Sequence, residues 1–137
     1  MEKIYLSWDE IEDAIESLAH QIKQSGKKIG SMDGLARGGL IPAVMLSHKL
    51  GIPFMNENNN DEGYILIVDD ICDTGETLEY YDIHDYILTA TIHHKQTAIV
   101  KPDFYYSLAP QDKWIVYPWE QKDSKTIQDY KDATKGE

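Results

Sequence analysis

Cysteine is almost missing from this chain: Cys72 stands alone among 137 residues. No internal disulfide can form, and a reducing, cytoplasmic setting is the expectation. Long apolar runs are missing as well. No window reaches the roughly 18 continuous apolar residues of a membrane-spanning helix, and the opening MEKIYLSWDEIEDAIESL places acids where a secretory leader needs an unbroken apolar stretch. Positive charge is scarce, with 13 Lys and Arg against 24 Asp and Glu for a net charge of −11. The few cations form no basic block, which argues against a nucleic-acid or membrane-surface partner. Three common nucleotide and metal signatures are absent: the Walker Gly-rich loop with Lys and Ser/Thr, the dinucleotide Gly-x-Gly-x-x-Gly, and the EF-hand ladder, in which Ile71 would occupy a ligand position. No internal repeat of solenoid period is present.

What is present reads as one α/β domain. A chain of this length buries roughly two-thirds of its unfolded surface without staples. Residues 1–120 are expected to form a single domain and 121–137 a polar tail, frayed or loosely helical. Ser7-Trp8-Asp9-Glu10 has the spacing of a capping box. Trp8, Ile11, Ile15, Leu18 and Ile22 follow at steps of three and four, predicting an amphipathic helix over about 8–24 that stops near Gly26. Residues 28–33 read as a strand, 34–39 as a glycine-punctuated loop, and 40–50 as a helix closed by Gly51 and Pro53. A short strand is expected at 52–55. The apolar run 64–68 suits a strand buried on both faces. A helix over 77–85 and strands at 87–94, 104–108 and 113–117 complete the pattern. This alternation predicts an open, mostly parallel sheet flanked by helices, and such sheets bind ligands outside the carboxyl ends of their strands. The loops at 34–39, at 69–77 and from Lys95 onward lie there.

The stretch ILIVDDICDTGETL, residues 65–78, runs from an apolar strand into three carboxylates and a turn of small residues. In Asp73-Thr74-Gly75-Glu76-Thr77 the small residues let backbone amides converge. The Thr74 and Thr77 hydroxyls add donors, and the helix start behind them carries partial positive charge, a combination that suits a monophosphate. Glu76 fits there only with its side chain pointing outward. The plainer reading of the same turn is an acidic surface loop whose Asp and Thr cap a helix. Asp69 and Asp70 are neighbours that can reach one ligand from the end of the strand, and as hard oxygen ligands they suit Mg²⁺ and sugar hydroxyls. Repulsion among the carboxylates raises at least one proton affinity, which makes Asp73 a candidate proton acceptor.

Arg37 is the single arginine, in Gly34-Leu35-Ala36-Arg37-Gly38-Gly39. The glycines admit a ligand to the backbone and the planar cation suits pyrophosphate, although a solvated turn arginine would look the same. Two anion sites in an acidic protein need bound Mg²⁺ to offset repulsion. Lys95 follows an apolar strand and can donate to a ligand carbonyl at the same sheet edge, or simply be solvated. Trp114 in KWIVYPWE offers a ring to stack on or, more commonly, a core side chain. His93 and His94 point to opposite faces and read as structural. No residue type around Cys72 would lower its pKa, so it is given no nucleophilic role.

Taken together, ILIVDDICDTGETL resembles the phosphoribosyl pyrophosphate binding motif of type I phosphoribosyltransferases. LARGGLIPA resembles the pyrophosphate loop of that superfamily, and SHKLGIPF fits the helix and strand that follow it. YLSWDEI, TATIHHK and PQDKWIVYPWE are most similar to the bacterial xanthine-guanine subfamily, and the likeness spans about residues 4–120. The resemblance implies an open, mostly parallel sheet with a small hood from the C-terminal segment. It implies that Asp69 and Asp70 bind the ribose hydroxyls and the Mg²⁺ network, that Asp73 assists at N7 of the purine, and that Thr74, Gly75, Glu76 and Thr77 hold the 5′-phosphate. Arg37 and Gly38 would bind pyrophosphate beside a non-proline cis peptide joining Ala36 and Arg37. Lys95 would donate to the purine 6-oxygen, Trp114 would stack on the base, and the Ile115 backbone would read its edge. The implied partners are phosphoribosyl pyrophosphate and a purine base, with Mg²⁺ as cofactor, in a homodimer or tetramer.

The expected reaction is transfer of phosphoribosyl to N9 of guanine, xanthine or hypoxanthine, a salvage step. One departure favours a different class, a regulatory module that keeps the pocket without turnover. Such enzymes carry a long mobile loop before the phosphate-motif strand, usually with a Ser-Tyr pair, and here only NENNNDEG, residues 56–63, stands in its place. With less cover, transfer should slow, wasteful hydrolysis should rise, or a partner must shield the site. The purine-reading set Asp73, Lys95 and Trp114 favours the enzyme.

Overall fold

A capping box starts the first helix. The Glu10 amide donates to Ser7 Oγ at 3.2 Å and the Ser7 amide donates to Glu10 Oε2 at 2.8 Å, satisfying two donors that a helix start leaves free. This helix buries Ile11, Ala14, Ile15, Leu18, Ala19 and Ile22, and it ends on Gly26, whose φ of 69° is a left-handed conformation that glycine adopts without strain. Trp8 does not join that stripe. It is half exposed, with its ring 6.0 Å from that of Trp119.

The computed structural model describes residues 1–55 and 62–123. Most of the shortened loop and most of the polar tail, residues 56–61 and 124–137, lie outside the described residues. The elements in chain order are β1 (Glu2–Tyr5), α1 (Trp8–Ser25), β2 (Ile29–Gly34), α2 (Leu40–Leu50), β3 (Tyr64–Cys72), α3 (Glu76–Asp82), β4 (Ile87–His94), β5 (Phe104–Leu108) and β6 (Lys113–Val116). Among them β2, β3, β4 and β5, in that order, form a parallel sheet. β4 is buried over nearly its whole length, as an inner parallel strand must be. Leu18 and Ile11 of α1, Leu46 of α2, and Met32, Leu66, Val68, Ala90 and Ile92 of the sheet share one core. No described helix is long and apolar enough to cross a membrane.

Three differences from the sequence expectation shape the site. The strand expected at 52–55 is reduced to a single bridge, Phe54 to Met32, on the side of β2 away from β3. The chain thus leaves β2 in one direction and returns on its other side, a reversal that opens a crevice at the carboxyl ends of β2 and β3. Second, Asp69 and Asp70 are not at a strand end. β3 continues through them because β4 keeps pairing, Asp69 with Thr91, Ile71 with His93 and Cys72 with His94, whereas β2 stops at Gly34 opposite Val68. Third, α3 ends at Asp82 rather than residue 85, because the His84 amide turns back to the Tyr81 carbonyl and the Ile87 amide to that of His84, feeding the chain into β4.

The hood also has a contributor that the sequence did not announce. β1 pairs in parallel with β6, Glu2 with Lys113 through Tyr5 with Val116, so this second small sheet is built from two segments far apart in the chain. Replacing Ser7 with Ala is expected to remove about 1 kcal/mol of stability, read as a lower urea midpoint at unchanged slope. An unchanged midpoint would show that the capping box contributes nothing here.

Candidate active site

Past Gly34 the chain folds back over the edge of β3. The Leu35 amide donates to the Val68 carbonyl at 2.9 Å, the Gly39 amide to that of Leu35 at 2.8 Å, and the Leu40 amide to that of Arg37 at 3.1 Å. The peptide joining Ala36 and Arg37 is cis. Close approach dictates the glycines: a Cβ on Gly39 would collide with the Val68 carbonyl and lie 2.9 Å from the Asp69 Cα, and one on Gly38 would collide with the Asp70 carboxylate. Arg37 is carried, exposed, to a cleft of about 490 Å³ lined also by Gly38, Asp70, Trp119, Glu120 and Gln121.

Asp69 and Asp70 are only partly open to solvent on the floor of this crevice. The Asp70 amide donates to Asp69 Oδ1 at 2.9 Å and the Ile71 amide to Asp70 Oδ1 at 2.8 Å. Burial, and after it the charge of Asp69, pushes the Asp70 carboxyl up to about 7, and burial raises Asp69 as well. Two crowded hard oxygens of this kind suit a divalent cation that takes its remaining ligands from a substrate and water. Among the described residues no group of three or more His, Cys, Asp or Glu could hold a metal alone. Burial also raises Glu120, against the opposing influence of Arg37 across the cleft.

Gly75 turns the chain between β3 and α3 with φ of 89°, and a Cβ there would stand 2.9 Å from the amide nitrogens of Ile99 and Val100. The Ile99 amide donates to the Thr74 carbonyl at 2.8 Å, and the Glu76 amide to Thr74 Oγ1 at 3.3 Å. Thr74, Glu76 and Thr77 are exposed. Because α3 has only 7 residues, its dipole adds little at this turn. Lys95 Nζ lies 3.2 Å from Asp73 Oδ1, its side chain 11% exposed. This pair, with Ile71, Lys113, Trp114, Ile115 and Tyr117, lines a second cleft of only about 30 Å³, the share of one water.

The expected residues divide between two clefts, Arg37, Gly38 and Asp70 lining the larger and Asp73, Lys95, Trp114 and Ile115 the smaller, while Asp69 and the 74–77 turn line neither. His93 and His94 do not face one another: His93 Nδ1 is 2.8 Å from Tyr117 Oη, and His94 packs against the Tyr105 ring. Burial pushes the Cys72 thiol up to about 11, so it supplies no thiolate. Tyr117, Trp119 and Glu120 are additions to the expected set. Nothing in their spacing pointed to a site, and only the packing of the hood onto β3 brings them there.

No family model matches the chain. A purine phosphoribosyltransferase from Pyrococcus horikoshii Ot3 is 32% identical and superposes with a TM-score of 0.71, over 92% of this chain and 99% of that one. The chain belongs to the purine phosphoribosyltransferase family. A xanthine-guanine phosphoribosyltransferase of Cereibacter sphaeroides is 29% identical over 85% of this chain and 86% of its own. A Neisseria gonorrhoeae protein solved with bound ppGpp is 25% identical with a TM-score of 0.69, over 99% and 98%. The fold expected from the sequence, that of a type I phosphoribosyltransferase, is the fold of this chain.

The two buried groups beside the crevice respond to pH in opposite senses. Asp70, raised from 3.8 to about 7, stabilises the metal-free fold at low pH, and that contribution is lost as pH rises through 7. His93, lowered by burial from 6.5 to about 4, contributes above 6.5 and loses its contribution as pH falls toward 4. The two oppose each other in the wild type. The melting temperature of metal-free Asp70→Asn should therefore climb between these pH values more steeply than that of the wild type, and parallel curves would mean that Asp70 titrates as an ordinary aspartate.

Proposed function

We propose that this phosphoribosyltransferase moves the phosphoribosyl group of 5-phosphoribosyl 1-pyrophosphate to N9 of guanine, xanthine or hypoxanthine, forming the nucleoside 5′-monophosphate and pyrophosphate for purine salvage. The observation that carries the reading is the pair of clefts that β3 supplies, one lined by Arg37, Gly38 and Asp70 and the other by Trp114 and the paired Asp73 and Lys95. Amides and hydroxyls of Thr74 to Thr77 hold the 5′-phosphate, with Glu76 directed outward. Arg37 and the Gly38 backbone hold the pyrophosphate. Asp69 and Asp70 accept from the ribose hydroxyls, and as carboxylates they stabilise the positive charge that develops on the sugar as its bond to pyrophosphate breaks. The same two residues would hold Mg²⁺, which when bound neutralises the leaving pyrophosphate.

At the other end Lys95 releases Asp73 and donates to the purine 6-oxygen, drawing charge from the ring. Asp73 accepts the N7 proton as N9 bonds to the sugar carbon. Trp114 stacks on the base and the Ile115 backbone reads its edge. Positioning of two bound reactants supplies the rate, and no covalent enzyme intermediate is needed. A catalytic domain over residues 1–120, working as a homodimer or tetramer in the cytoplasm, completes the proposal. A second reading, a nucleotide-binding regulatory module, is favoured by the short 56–63 segment and by the ppGpp bound to the Neisseria relative.

The deciding measurement is pyrophosphate release from Mg²⁺ and phosphoribosyl pyrophosphate, with each base or none, alongside detection of the nucleotide. Base-dependent release with matching nucleotide is the expected outcome. Ligand binding without release would favour the regulatory module, and release without a base would mean that water reaches the sugar. Asp73→Asn is expected to lower kcat by about 10²-fold or more, with the Kd for phosphoribosyl pyrophosphate little changed. Arg37→Ala should instead weaken that ligand by roughly tenfold or more. Equal losses of both quantities in both variants would overturn the assignments.

A further inference from the structure

Asp70 is held through its backbone as well as its carboxylate. On the edge of β3 that faces β2, the Val68 carbonyl accepts from the Leu35 amide at 2.9 Å. Carbonyls on one side of a strand recur every second residue, so the next on that edge belongs to Asp70, where β2 has already ended. A side chain from the hood takes the place of the missing strand. Tyr117 Oη donates to the Asp70 carbonyl at 3.1 Å, and the same oxygen lies 2.8 Å from His93 Nδ1.

A phenol has one proton, so both contacts are hydrogen bonds only when His93 Nδ1–H donates to Tyr117 and Tyr117 donates to Asp70. The arrangement thereby fixes the tautomer of His93. Tyr117 is 2% exposed and His93 7%, so a group left unpaired here has no water to turn to. The phenol ring is further clamped by Trp119, stacked on it at 5.0 Å and 8°, and the Tyr117 amide donates to Glu120 Oε1 at 2.8 Å. Trp119 and Glu120 also line the larger cleft with Asp70.

We propose that Tyr117, oriented by His93, is a positioning residue for the sugar-binding carboxylates: its hydroxyl fixes the Asp70 peptide where β2 no longer can, and so ties the hood beside the base to the strand beside the ribose. The inference rests on the phosphoribosyl-binding reading of Asp69 and Asp70 given above. It assigns Tyr117 no part in proton transfer.

The test is calorimetric titration of Mg²⁺ and phosphoribosyl pyrophosphate, well below each variant's melting temperature, with the KM for the base measured alongside. Tyr117→Phe removes only the hydroxyl, and His93→Leu removes only the group that orients it. Each should weaken phosphoribosyl pyrophosphate by about tenfold, and His93→Leu, at a residue that lines neither cleft, should leave the base KM within a few-fold. The double variant should bind no more weakly than Tyr117→Phe alone, because one chain of hydrogen bonds is being cut twice. His93→Asn, which keeps an N–H donor close to the Nδ1 position, should bind as the wild type does. Unchanged affinity in Tyr117→Phe, or equal losses in His93→Asn and His93→Leu, would overturn the proposal, as would a lower melting temperature with no change in affinity. Should Tyr117→Phe fail to fold, the two His93 variants decide. A wild type that does not bind phosphoribosyl pyrophosphate overturns the reading of the site and this inference with it, whereas a wild type that binds beside an unaffected Tyr117→Phe overturns the positioning role alone.

Discussion

Two carboxyl groups on successive residues of one strand, both largely withdrawn from water, cannot ionise together without something positive between them. Asp69 and Asp70 are placed in that condition by a mismatch of strand lengths, β2 stopping at Gly34 while β4 carries β3 on to Cys72. Everything nearby is shaped by the notch that results. The loop after β2 must pass close above the acids, which is why Gly38 and Gly39 have no room for a side chain. The Asp70 carbonyl needs a partner that no strand supplies, and Tyr117 supplies it. Burial raises the proton affinity of both carboxyls in the empty protein, and in the proposed complex a cation and sugar hydroxyls would take the proton's place.

The base-binding half meets its own electrostatic demand in a simpler way. Lys95 and Asp73, which face the 6-oxygen and N7 of a purine in the proposed complex, neutralise each other at 3.2 Å when no base is present. The cleft around them is narrow. Base binding is then an exchange, one half-buried ion pair for two hydrogen bonds and a stacked ring. An exchange of this sort leaves few unsatisfied groups in either state and keeps the empty site from being a liability to the fold.

Much of this was legible in the sequence because the signals are local. The capping box at Ser7 and Glu10, the stops at Gly26 and Gly51, and the glycines around Arg37 act within a few residues of where they stand, and α1, α2 and the arginine loop follow them. The phosphoribosyl motif placed β3 and the turn behind it. What was not legible depends on partners remote in sequence. EKIY, whose residues are exposed or half-buried, becomes β1 only because Lys113 to Val116 lies alongside. The extra length of β3 comes from β4 and not from its own apolar run, and Tyr117, Trp119 and Glu120 reach the crevice only through the docking of the hood. Trp8 kept the helical spacing of a core residue and instead meets Trp119 at the surface.

The pairing of β1 with β6 also sets an order of assembly. In a chain made from its amino end, the loops that carry Arg37 and Thr74 to Thr77 are complete by Thr77 and the main sheet by Leu108, but β1 waits from Tyr5 until Lys113 emerges before it has a neighbour. Closing so long a loop is entropically the last contact to be rewarded. The main sheet can therefore pair on the nascent chain before the hood has its second strand, and the Asp70 carbonyl gains Tyr117 only when the hood docks.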